Sequence, residues 1–464
     1  MNITITTAIR EAHETLSPSN VKFLEYAGKN PGCLRRSQFP ELINWHHFST
    51  KAKLHPWPLF VSRHTRKELA DASVNVFELI KSIPRRIFSN DTERISRYYG
   101  LPLEYVNRCL EWSHDKHMEN LMGRGDFIFS MAGLKCIEYN ITSNLGGWWL
   151  PIWESLYLQN PLISGFINSH KLKITDKNLM SIILGHFIET TLEYFPNENE
   201  MNLAVLVHDR ELVESMAEPG KYANRVYKDC LQRNRLKGDV IFCTSDELDM
   251  TGEYLYHKDK KVHALYDFCF GDVPAELLPF FKKGNVLILN GPVGGLMSNK
   301  LKLALLSEHE DSDLFTPGEK ETIKKYIPWT RKVVDGITTY GGEKIKLKDF
   351  LLSHREKLVL KPARGMGGEN VHVGHYIPES QWETLVSEAL LGEPWVAQER
   401  IEFPPFLLQW GENGCTEHDI AWGVFVLGNR YGGVLLRGLP RQNSNGIINT
   451  RQGAWSSLVF EVDE

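Results

Sequence analysis

The sequence predicts a mixed fold of the α/β and α+β classes, preceded by a mostly helical N-terminal region. Three patterns in the 464 residues lead to this expectation. Apolar side chains recur at helical spacing in the first 120 residues, and short apolar runs alternate with amphipathic stretches between residues 175 and 300. After residue 358, a glycine-rich segment lies between two β-like runs. We therefore expect five regions, with the spans 1–120, 121–174, 175–300, 301–410 and 411–464.

Composition excludes several classes of function. Hydrophobic residues make up 42% of the chain and charged residues 24%, as in an ordinary soluble protein. The net charge is −5 without any block of basic residues, so we expect no nucleic-acid partner. No uncharged apolar run approaches the roughly 18 residues that cross a membrane, and the first residues lack a signal-peptide pattern. We expect a cytoplasmic protein that acts on small molecules.

The metal-binding residue types do not form known motifs. The seven cysteines are scattered, odd in number and never spaced as CxxC, which indicates reduced thiols rather than disulfides or a zinc site. The 17 histidines include no HExxH, so we interpret them as structural or surface residues.

The N-terminal region is expected to form helices without chemistry of its own. Residues 66–83 and 91–112 have amphipathic spacing, and Pro102 interrupts the second stretch. We expect a helical layer packed on a sheet. The alternative is that histidines and arginines of this region line a substrate pocket.

Residues 121–150 predict a β-hairpin that carries acidic side chains. Two β-like runs, residues 123–129 and 134–140, flank a turn that we place at Ala132. In this register Phe127, Phe129, Ile137 and Tyr139 project from one face. The opposite face then carries four polar side chains, those of Arg124, Asp126, Glu138 and Asn140.

These polar side chains are a candidate metal site. Asp126 lies opposite Glu138, and facing carboxylates repel each other unless a cation lies between them. Oxygen donors at this separation suit Mg²⁺, which completes its coordination with water and phosphate. Arg124 is placed to reach a transferred phosphoryl group, and the loop at 142–147, with Asn144, is expected near the ligand. The alternative is a solvated face on which Arg124 neutralises both acids.

Residues 175–300 predict a parallel sheet. Helical stretches at 179–195 and 222–235 alternate with apolar strands at 203–207, 239–243, 262–266 and 286–290. Ligands of such sheets bind at the carboxyl ends of the strands. Although any α/β domain has polar strand ends, those found here are candidate substrate contacts: His208, Asp209, Asp267, Asn290 and Gly291.

Residues 358–374, LVLKPARGMGGENVHVG, predict a strand, a glycine-rich turn and a second strand. Glycine lets backbone N–H groups approach an anion closely, and Lys361 adds a positive charge, which suits a triphosphate. The segment is not a P-loop, because it lacks Gly-Lys-Ser/Thr and a following helix. The alternative is a flexible hairpin turn with a surface lysine.

Further stretches are candidate parts of a nucleotide site. Helical residues 297–306 contain Lys300 and Lys302, and a strand at 395–401 is placed to offer backbone N–H and C=O groups to an adenine ring. The closing strands are expected at 421–427, 431–437 and 446–449. Arg437, near the end of one of them, is either a phosphate contact or an edge residue.

Together these segments resemble the ATP-grasp superfamily, in particular its circularly permuted branch, which includes glutathionylspermidine synthetase. In that branch the magnesium-binding acids come early and the nucleotide-grasping loop comes late. Arg124-x-Asp126 followed by Glu138-x-Asn140 resembles the branch's R-x-D…E-x-N motif. Residues 359–368 resemble its V-x-K-P-x-x-G-x-x-G motif.

The resemblance implies ATP and two Mg²⁺ ions as cofactors, with Asp126, Glu138 and Asn140 as metal ligands. Arg124 and Arg437 are the implied catalytic residues. The implied nucleotide contacts are Lys300 (with Lys302 as a rival), Lys361, Arg364, Gly365, Gly367, Gly368, Gln398, Glu399 and Ile401.

The resemblance also implies a reaction, the ligation of a carboxylate to an amine through an acyl phosphate. A small-molecule kinase and a catalytically silent nucleotide-binding scaffold are the alternatives. No amidase domain is recognisable and the first 120 residues do not match the family, so its thiol-peptide and polyamine substrates are not expected here. A homodimer is weakly favoured.

Overall fold

The computed structural model describes residues 5–30, 53–111, 115–142, 145–147, 150–175, 178–267, 274–365, 367–409 and 415–464. Its α-helices, in chain order, are α1 Thr7–Leu16, α2 Pro18–Lys29, α3 Arg63–Arg86, α4 Thr92–Tyr99, α5 Leu103–Glu111, α6 Asp115–Glu119, α7 Leu150–Gln159, α8 Pro161–Ser169, α9 Leu179–Tyr194, α10 Arg210–Ser215, α11 Ala217–Arg233, α12 Leu278–Lys282, α13 Gly291–Met297, α14 Leu301–Glu308, α15 Pro317–Tyr326, α16 Leu347–Ser353 and α17 Glu379–Leu391. None of these described helices is long and apolar enough to cross a membrane.

The described strands, in chain order, are β1 Lys53–Leu54, β2 Leu59–Val61, β3 Met122–Ser130, β4 Gly133–Asn140, β5 Leu203–Leu206, β6 Val240–Cys243, β7 Tyr256–His257, β8 Lys260–Lys261, β9 Ala264–Asp267, β10 Leu287–Ile288, β11 Thr330–Lys332, β12 Ile337–Tyr340, β13 Glu343–Lys346, β14 Leu358–Pro362, β15 His372–Val373, β16 Trp395–Glu399, β17 Phe406–Gln409, β18 Cys415–Leu427, β19 Arg430–Pro440, β20 Trp455–Ser457 and β21 Val459–Glu461.

A seven-stranded sheet joins the early hairpin to the end of the chain. Its order is β1-β20-β19-β18-β3-β4, and β17 pairs with the first residues of β18. The long strands β18 and β19 are antiparallel, and β18 also pairs antiparallel with β3. The hairpin of β3 and β4 is therefore held in register against C-terminal strands.

N-terminal elements cover this sheet. The helix α3 contacts β3, β4, β18 and β19, and its Phe77 ring stacks on Tyr139 of β4 with centroids 5.2 Å apart. The expected helical layer on a sheet is confirmed. The sequence did not indicate that β1 and β2 would pair in parallel with β20 and β21.

The predicted parallel sheet is confirmed. Its order is β10-β9-β5-β6, and every pair in it is parallel. Helices α9 and α11 alternate with its strands, and they pack against each other. The strand boundaries differ from the predicted ones by at most a few residues.

A third sheet carries the glycine-rich loop. Its order is β11-β16-β14-β15, all antiparallel, with Val359 opposite Val373 and Lys361 opposite Val396. Buried side chains of α16 and α17, including Leu351 and Trp382, form its core with the apolar residues of β14 and β16. The predicted strand, glycine turn and strand are confirmed.

Two predicted elements are wrong in their extent. The helix expected at 297–306 is broken, because the Lys300 N–H donates to the Ala363 carbonyl at 2.9 Å, outside any helical ladder. Residues 446–449 form no strand. Gly446 has φ +80°, and the Asn449 side chain accepts from the Arg451 N–H at 3.0 Å, which starts a short 3₁₀ turn instead.

Candidate active site

The hairpin of β3 and β4 pairs the four predicted polar residues in the predicted register. Arg124 lies opposite Asn140, and Asp126 lies opposite Glu138. The turn itself falls half a residue earlier than predicted, because Ser130 pairs with Gly133. A β-bulge beside Asp126 corrects this shift and leaves Ile137 without a cross-strand partner, so that Asp126 still lies opposite Glu138. Ile137 consequently lines the same cavity as the acids, whereas strict alternation places it on the other face.

Asp126 is the centre of a buried ion-pair network. Arg124 donates to both of its oxygens, from Nε at 2.9 Å and from Nη2 at 3.3 Å. Arg437 Nη2 lies 2.8 Å from Oδ1, and Asn140 Nδ2 donates to Oδ2 at 3.2 Å. Burial raises the pKa of the Asp126 carboxyl, but the charges of Arg124 and Arg437 outweigh burial and lower it. Asp126 is therefore held as a carboxylate.

Arg124 and Arg437 differ in whether they line the neighbouring cavity. Arg437 lines the cavity next to Asp126. Arg124 is absent from the described lining, and its remaining terminal nitrogen donates to the Leu145 carbonyl. The structure thus places Arg437 at the cavity wall, and the contact of Arg124 with a transferred phosphoryl group stays a prediction.

Lys361 connects the late strand β14 to the early hairpin. Its ammonium donates to Gln398 Oε1 at 2.7 Å and to the Ile137 carbonyl at 3.0 Å. The Gln398 amide in turn donates to Thr330 Oγ1 at 3.2 Å. Burial lowers the pKa of Lys361 to about 8, although the nearby Glu138 charge opposes this shift. Lys361 lines the cavity, as predicted for a phosphate-binding lysine.

Lys300 bridges the acidic hairpin and the glycine-rich loop. Its ammonium lies 3.2 Å from Glu138 Oε1 and donates to the Gly365 carbonyl at 2.8 Å. Burial raises the pKa of the Glu138 carboxyl, but the Lys300 charge outweighs burial and lowers it. Between the two rival lysines, Lys300 is the one that contacts both the hairpin and the loop.

Lys302 is a buried lysine without a hydrogen-bond partner among the described residues. It is 1% exposed, on α14, and its Nζ contacts no acceptor. Burial lowers the pKa of Lys302 to about 7; the Glu138 charge opposes this shift and the Lys300 charge adds to it. Lys302 therefore loses its proton close to neutral pH in the folded protein, because a charged ammonium without a partner is costly to bury.

A cavity of about 470 Å³ lies between the hairpin, the third sheet and the C-terminal strands. Its polar wall includes Asp126, Glu138, Lys361 and Arg437. Its apolar wall is formed by Ile128, Ile137, Val359, Val371, Val373, Ile401, Phe403, Ala421, Ile447 and Ile448. Segments more than two hundred residues apart in sequence thus share one cleft, as the ligase interpretation requires.

The glycine-rich loop borders this cavity at Gly368. Gly365, Gly367 and Gly368 all have positive φ values, which L side chains rarely adopt. A Cβ atom on Gly367 would lie 2.3 Å from Arg451 Cδ. Arg451 also forms an ion pair at 3.2 Å with Glu369 of the loop. Arg364 is exposed, on the outside of the loop.

The predicted adenine-binding strand runs along the apolar wall. Gln398, Glu399 and Ile401 all line the cavity. The Glu399 N–H donates to the Trp329 carbonyl at 2.8 Å. The Ile401 N–H donates to no acceptor within the described part of the chain. Of this strand's backbone donors, that of Ile401 is therefore open to a ligand.

The predicted substrate residues do not join this cavity. His208, Asp267 and Asn290 are absent from its described lining, and Asn144 lies outside the described residues. The Asn290 amide is bound to the backbone of Met122, accepting from its N–H and donating to its carbonyl, both at 2.8 Å. Asn290 therefore anchors the start of β3 to the parallel sheet.

Several cavity residues were not predicted. Asp419 and Arg441 form an ion pair at 2.8 Å, and Arg441 also donates to the Phe403 carbonyl at 2.9 Å. Tyr376 and Asn449 line the rim. No motif marks these positions, although Arg441 follows Arg437 by only four residues in the sequence.

Asp126 and Glu138 differ in how well their carboxylates could bind a divalent cation. Both oxygens of Asp126 already accept two N–H groups each. Glu138 has one oxygen without a described partner, and its side chain is 31% exposed. Within the described residues no cluster of three or more His, Cys, Asp or Glu side chains is arranged to hold a metal. Glu138, with amide oxygen from Asn140, is the donor set that fits Mg²⁺ together with phosphate and water.

Comparison with protein-family models finds no match, and comparison with curated proteins finds none either. Among solved structures, the chain is similar to a glutathione synthetase-like effector from Globodera pallida in its apo form. The two are 13% identical with a TM-score of 0.54, over 92% of this chain and 96% of that chain. The similarity to glutathionylspermidine synthetase stays a prediction. The chain has a mixed α/β fold like that of the glutathione synthetase-like effector.

Proposed function

We propose that the chain is an ATP-dependent ligase of the ATP-grasp type, which joins a carboxylate to an amine and releases ADP and phosphate. The observation that supports it most is the single cavity with walls from both parts of the chain. Asp126 and Glu138 enter from the early hairpin, and Lys361, Gly368 and Arg437 enter from late segments. Clustered cations beneath glycine-rich backbone form an environment for a triphosphate.

The apolar wall supports the nucleotide assignment. Aliphatic side chains such as Val359 and Ile401 face this part of the cavity and suit a flat purine base. The open N–H of Ile401 is a donor for a ring nitrogen. A cavity of about 470 Å³ is in the range of small-molecule and cofactor sites.

The polar wall supports phosphoryl transfer. Lys361 and Arg437 are placed to neutralise phosphate oxygens, and Lys300 joins this end of the cavity to the glycine-rich loop. A Mg²⁺ ion accompanying the nucleotide would be held where Glu138 and Asn140 offer oxygens, and it would supply further charge neutralisation.

The proposed reaction proceeds in two displacements. A carboxylate oxygen of the acid attacks the γ-phosphorus, the bond from that phosphorus to the β–γ bridging oxygen breaks, and ADP leaves. The amine nitrogen then attacks the acyl carbon, the bond from that carbon to the phosphate oxygen breaks, and the amine gives up a proton. The residues act by orientation and charge neutralisation, while the glycine-rich loop excludes water from the acyl phosphate.

An ADP-release assay on the full chain tests this proposal. Pools of carboxylic acids are supplied with and without pools of amines, and amide product is followed by mass spectrometry. A ligase forms amide only when acid and amine are both present. Release of ADP with a phosphorylated product from one substrate alone contradicts the ligase and indicates a kinase. Absence of ATP binding contradicts both.

The matched control for this assay is a pair of lysine variants. Lys361→Met removes the buried lysine of the cavity and is expected to abolish amide formation. Lys348→Met removes an exposed lysine on α16 and is expected to change nothing. Equal activity of both variants would place the reaction outside this cavity.

A further inference from the structure

We infer, on the basis of the proposed function, that Asp126 is a positioning residue and not a metal ligand. In this assignment Asp126 holds Arg124 and Arg437 in place, and the divalent cation is bound by Glu138 and Asn140. This departs from the sequence-based expectation that Asp126, Glu138 and Asn140 bind the metal together.

The first reason is that Asp126 has no free acceptor site. Each carboxylate oxygen offers about two lone-pair positions. Oδ1 accepts from Arg124 and Arg437, at 2.9 and 2.8 Å. Oδ2 accepts from Arg124 and Asn140, at 3.3 and 3.2 Å. A cation could coordinate Asp126 only after displacing one of these donors.

The second reason is that the Asp126 side chain is buried and enclosed by its neighbours. Asp126 is 4% exposed. On the side of β18, a Cβ atom added to Gly423 would lie 2.9 Å from Arg124 Cδ and 3.4 Å from Asp126 Oδ1. Arg124 and Asp126 therefore pack directly on the Gly423 backbone, where no side chain would fit. A carboxylate enclosed between two guanidinium groups is already neutralised, so it attracts a divalent cation weakly.

Displacing Arg437 would leave a buried charge without its partner. Arg437 is 5% exposed, and its Nε already lacks an acceptor among the described residues. Separating a buried ion pair is strongly unfavourable, because the remaining charge is desolvated and uncompensated. The network is therefore expected to persist when ligands bind.

Glu138 and Asn140, unlike Asp126, each have an oxygen atom without a hydrogen-bond partner among the described residues. Because the oxygens of Asp126 can only accept, Asn140 must present its NH₂ group to Asp126, which leaves its amide oxygen without a partner in the described chain. One carboxylate oxygen of Glu138 is likewise without a described partner, and this side chain is partly exposed to the cavity. Only Glu138 is in the described lining of the cavity, and Asn140 lies two residues further on the same face of β4. Two such oxygens, with water and phosphate, suit Mg²⁺.

The positioning role of Asp126 concerns Arg437, the arginine that reaches the cavity. Arg437 lines it, and the Asp126 carboxylate, which lines it as well, holds the Arg437 guanidinium at 2.8 Å. Loss of the Asp126 charge is expected to loosen Arg437 while leaving the metal-binding oxygens in place. Turnover then falls without a matching loss of metal affinity.

The test compares Asp126→Asn, Glu138→Gln and, as a control, the exposed Asp335→Asn. Mn²⁺ binding to the full chain with a non-hydrolysable ATP analogue is measured by electron paramagnetic resonance, and kcat and KM for ATP are measured with Mg²⁺. Glu138→Gln should weaken Mn²⁺ binding by about 100-fold, and Asp126→Asn by less than about tenfold. Asp126→Asn should instead lower kcat by about 100-fold with little change in KM.

Equal loss of Mn²⁺ binding in the Asp126 and Glu138 variants would overturn the inference while leaving the proposed function intact. If the unaltered chain binds no Mn²⁺ with the nucleotide analogue, both fail. Because Asp126→Asn is a buried change that can prevent folding, a crystal structure of the unaltered chain with Mn²⁺ and the analogue provides a second measurement. An anomalous peak at coordination distance from Asp126, about 2.1 Å for Mg²⁺ itself, would exclude the positioning role.

Discussion

The Lys361 ammonium donates to the carbonyl of Ile137 at 3.0 Å, across 224 positions of sequence. This bond exists because the bulge in β4 leaves Ile137 out of the cross-strand pairing with β3. The irregularity in the early hairpin thus provides an acceptor for the lysine of the late strand. The same contact brings the acids and the glycine-rich loop to one cavity.

Lys361→Met is expected to remove nucleotide binding. The variant loses a buried positive charge in the polar wall, so the dissociation constant for ATP should rise by about 100-fold. Isothermal titration calorimetry on folded protein measures this change, with Lys348→Met as the exposed control. An unchanged dissociation constant would show that the triphosphate does not lie against Lys361.

Gly367→Ala should weaken nucleotide binding through the loop. Gly367 has φ +71°, and a Cβ there would lie 2.3 Å from Arg451 Cδ. A conformational penalty of about 1–2 kcal/mol corresponds to roughly tenfold weaker ATP binding if the loop must adopt this conformation to bind. Gly318→Ala is the control, since a Cβ atom added to Gly318 would meet no described atom within 4 Å. Equal ATP affinity in both variants would contradict a role for the loop conformation.

Lys302→Met is expected to stabilise the fold. The buried ammonium has no described partner, so an apolar side chain of similar length should raise the free energy of unfolding by about 1–3 kcal/mol at pH 7. Urea denaturation of the two proteins measures the difference. A loss of stability would show that Lys302 has a structural partner.

The stability difference should depend on pH. The pKa of a lysine is 10.5 in the unfolded chain, and burial lowers the pKa of Lys302 to about 7 in the folded protein. Between these values the unfolded state binds the proton and the folded state does not, so the free energy of unfolding rises with pH. Since Lys302→Met lacks this contribution, its advantage should shrink between pH 7 and about pH 9.

Asn290→Ala should destabilise the fold without changing catalysis by folded protein. The variant loses two buried hydrogen bonds to Met122, so unfolding should become easier by about 2–4 kcal/mol. Asn290 also has φ +66°, and Asn90→Ala is a control for that cost, because Asn90 has φ +58° on the surface. A raised KM in Asn290→Ala at unchanged stability would instead support the predicted substrate role.

Local sequence patterns were sufficient to predict those strands and turns whose conformation depends on neighbouring residues. A period of two placed Asp126 opposite Glu138, and the alternation of strands and helices predicted the parallel sheet. The glycines around Lys361 predicted a turn between strands because few other residues adopt positive φ. Each of these expectations depends on neighbouring residues alone.

The roles of individual lysines and arginines depend on contacts between segments that are distant in sequence. Nothing local distinguishes Lys302, buried without a described partner, from Lys300, which contacts Glu138 and the loop. Likewise, sequence spacing did not separate Arg124 from Arg437 as the residue at the cavity wall. Burial and long-range partners decide these roles, and neither is encoded in the spacing of a short motif.

The sequence by itself determined the strands of the acidic hairpin and of the parallel sheet, the glycine turn and the residue types that suit a nucleotide. Only the tertiary structure decided that Ile137 is freed by a bulge, that Arg124 and Arg437 enclose Asp126, and that one cavity collects these groups. The physical reason is that backbone conformation follows from adjacent residues, whereas charge pairing and burial follow from the packing of distant ones.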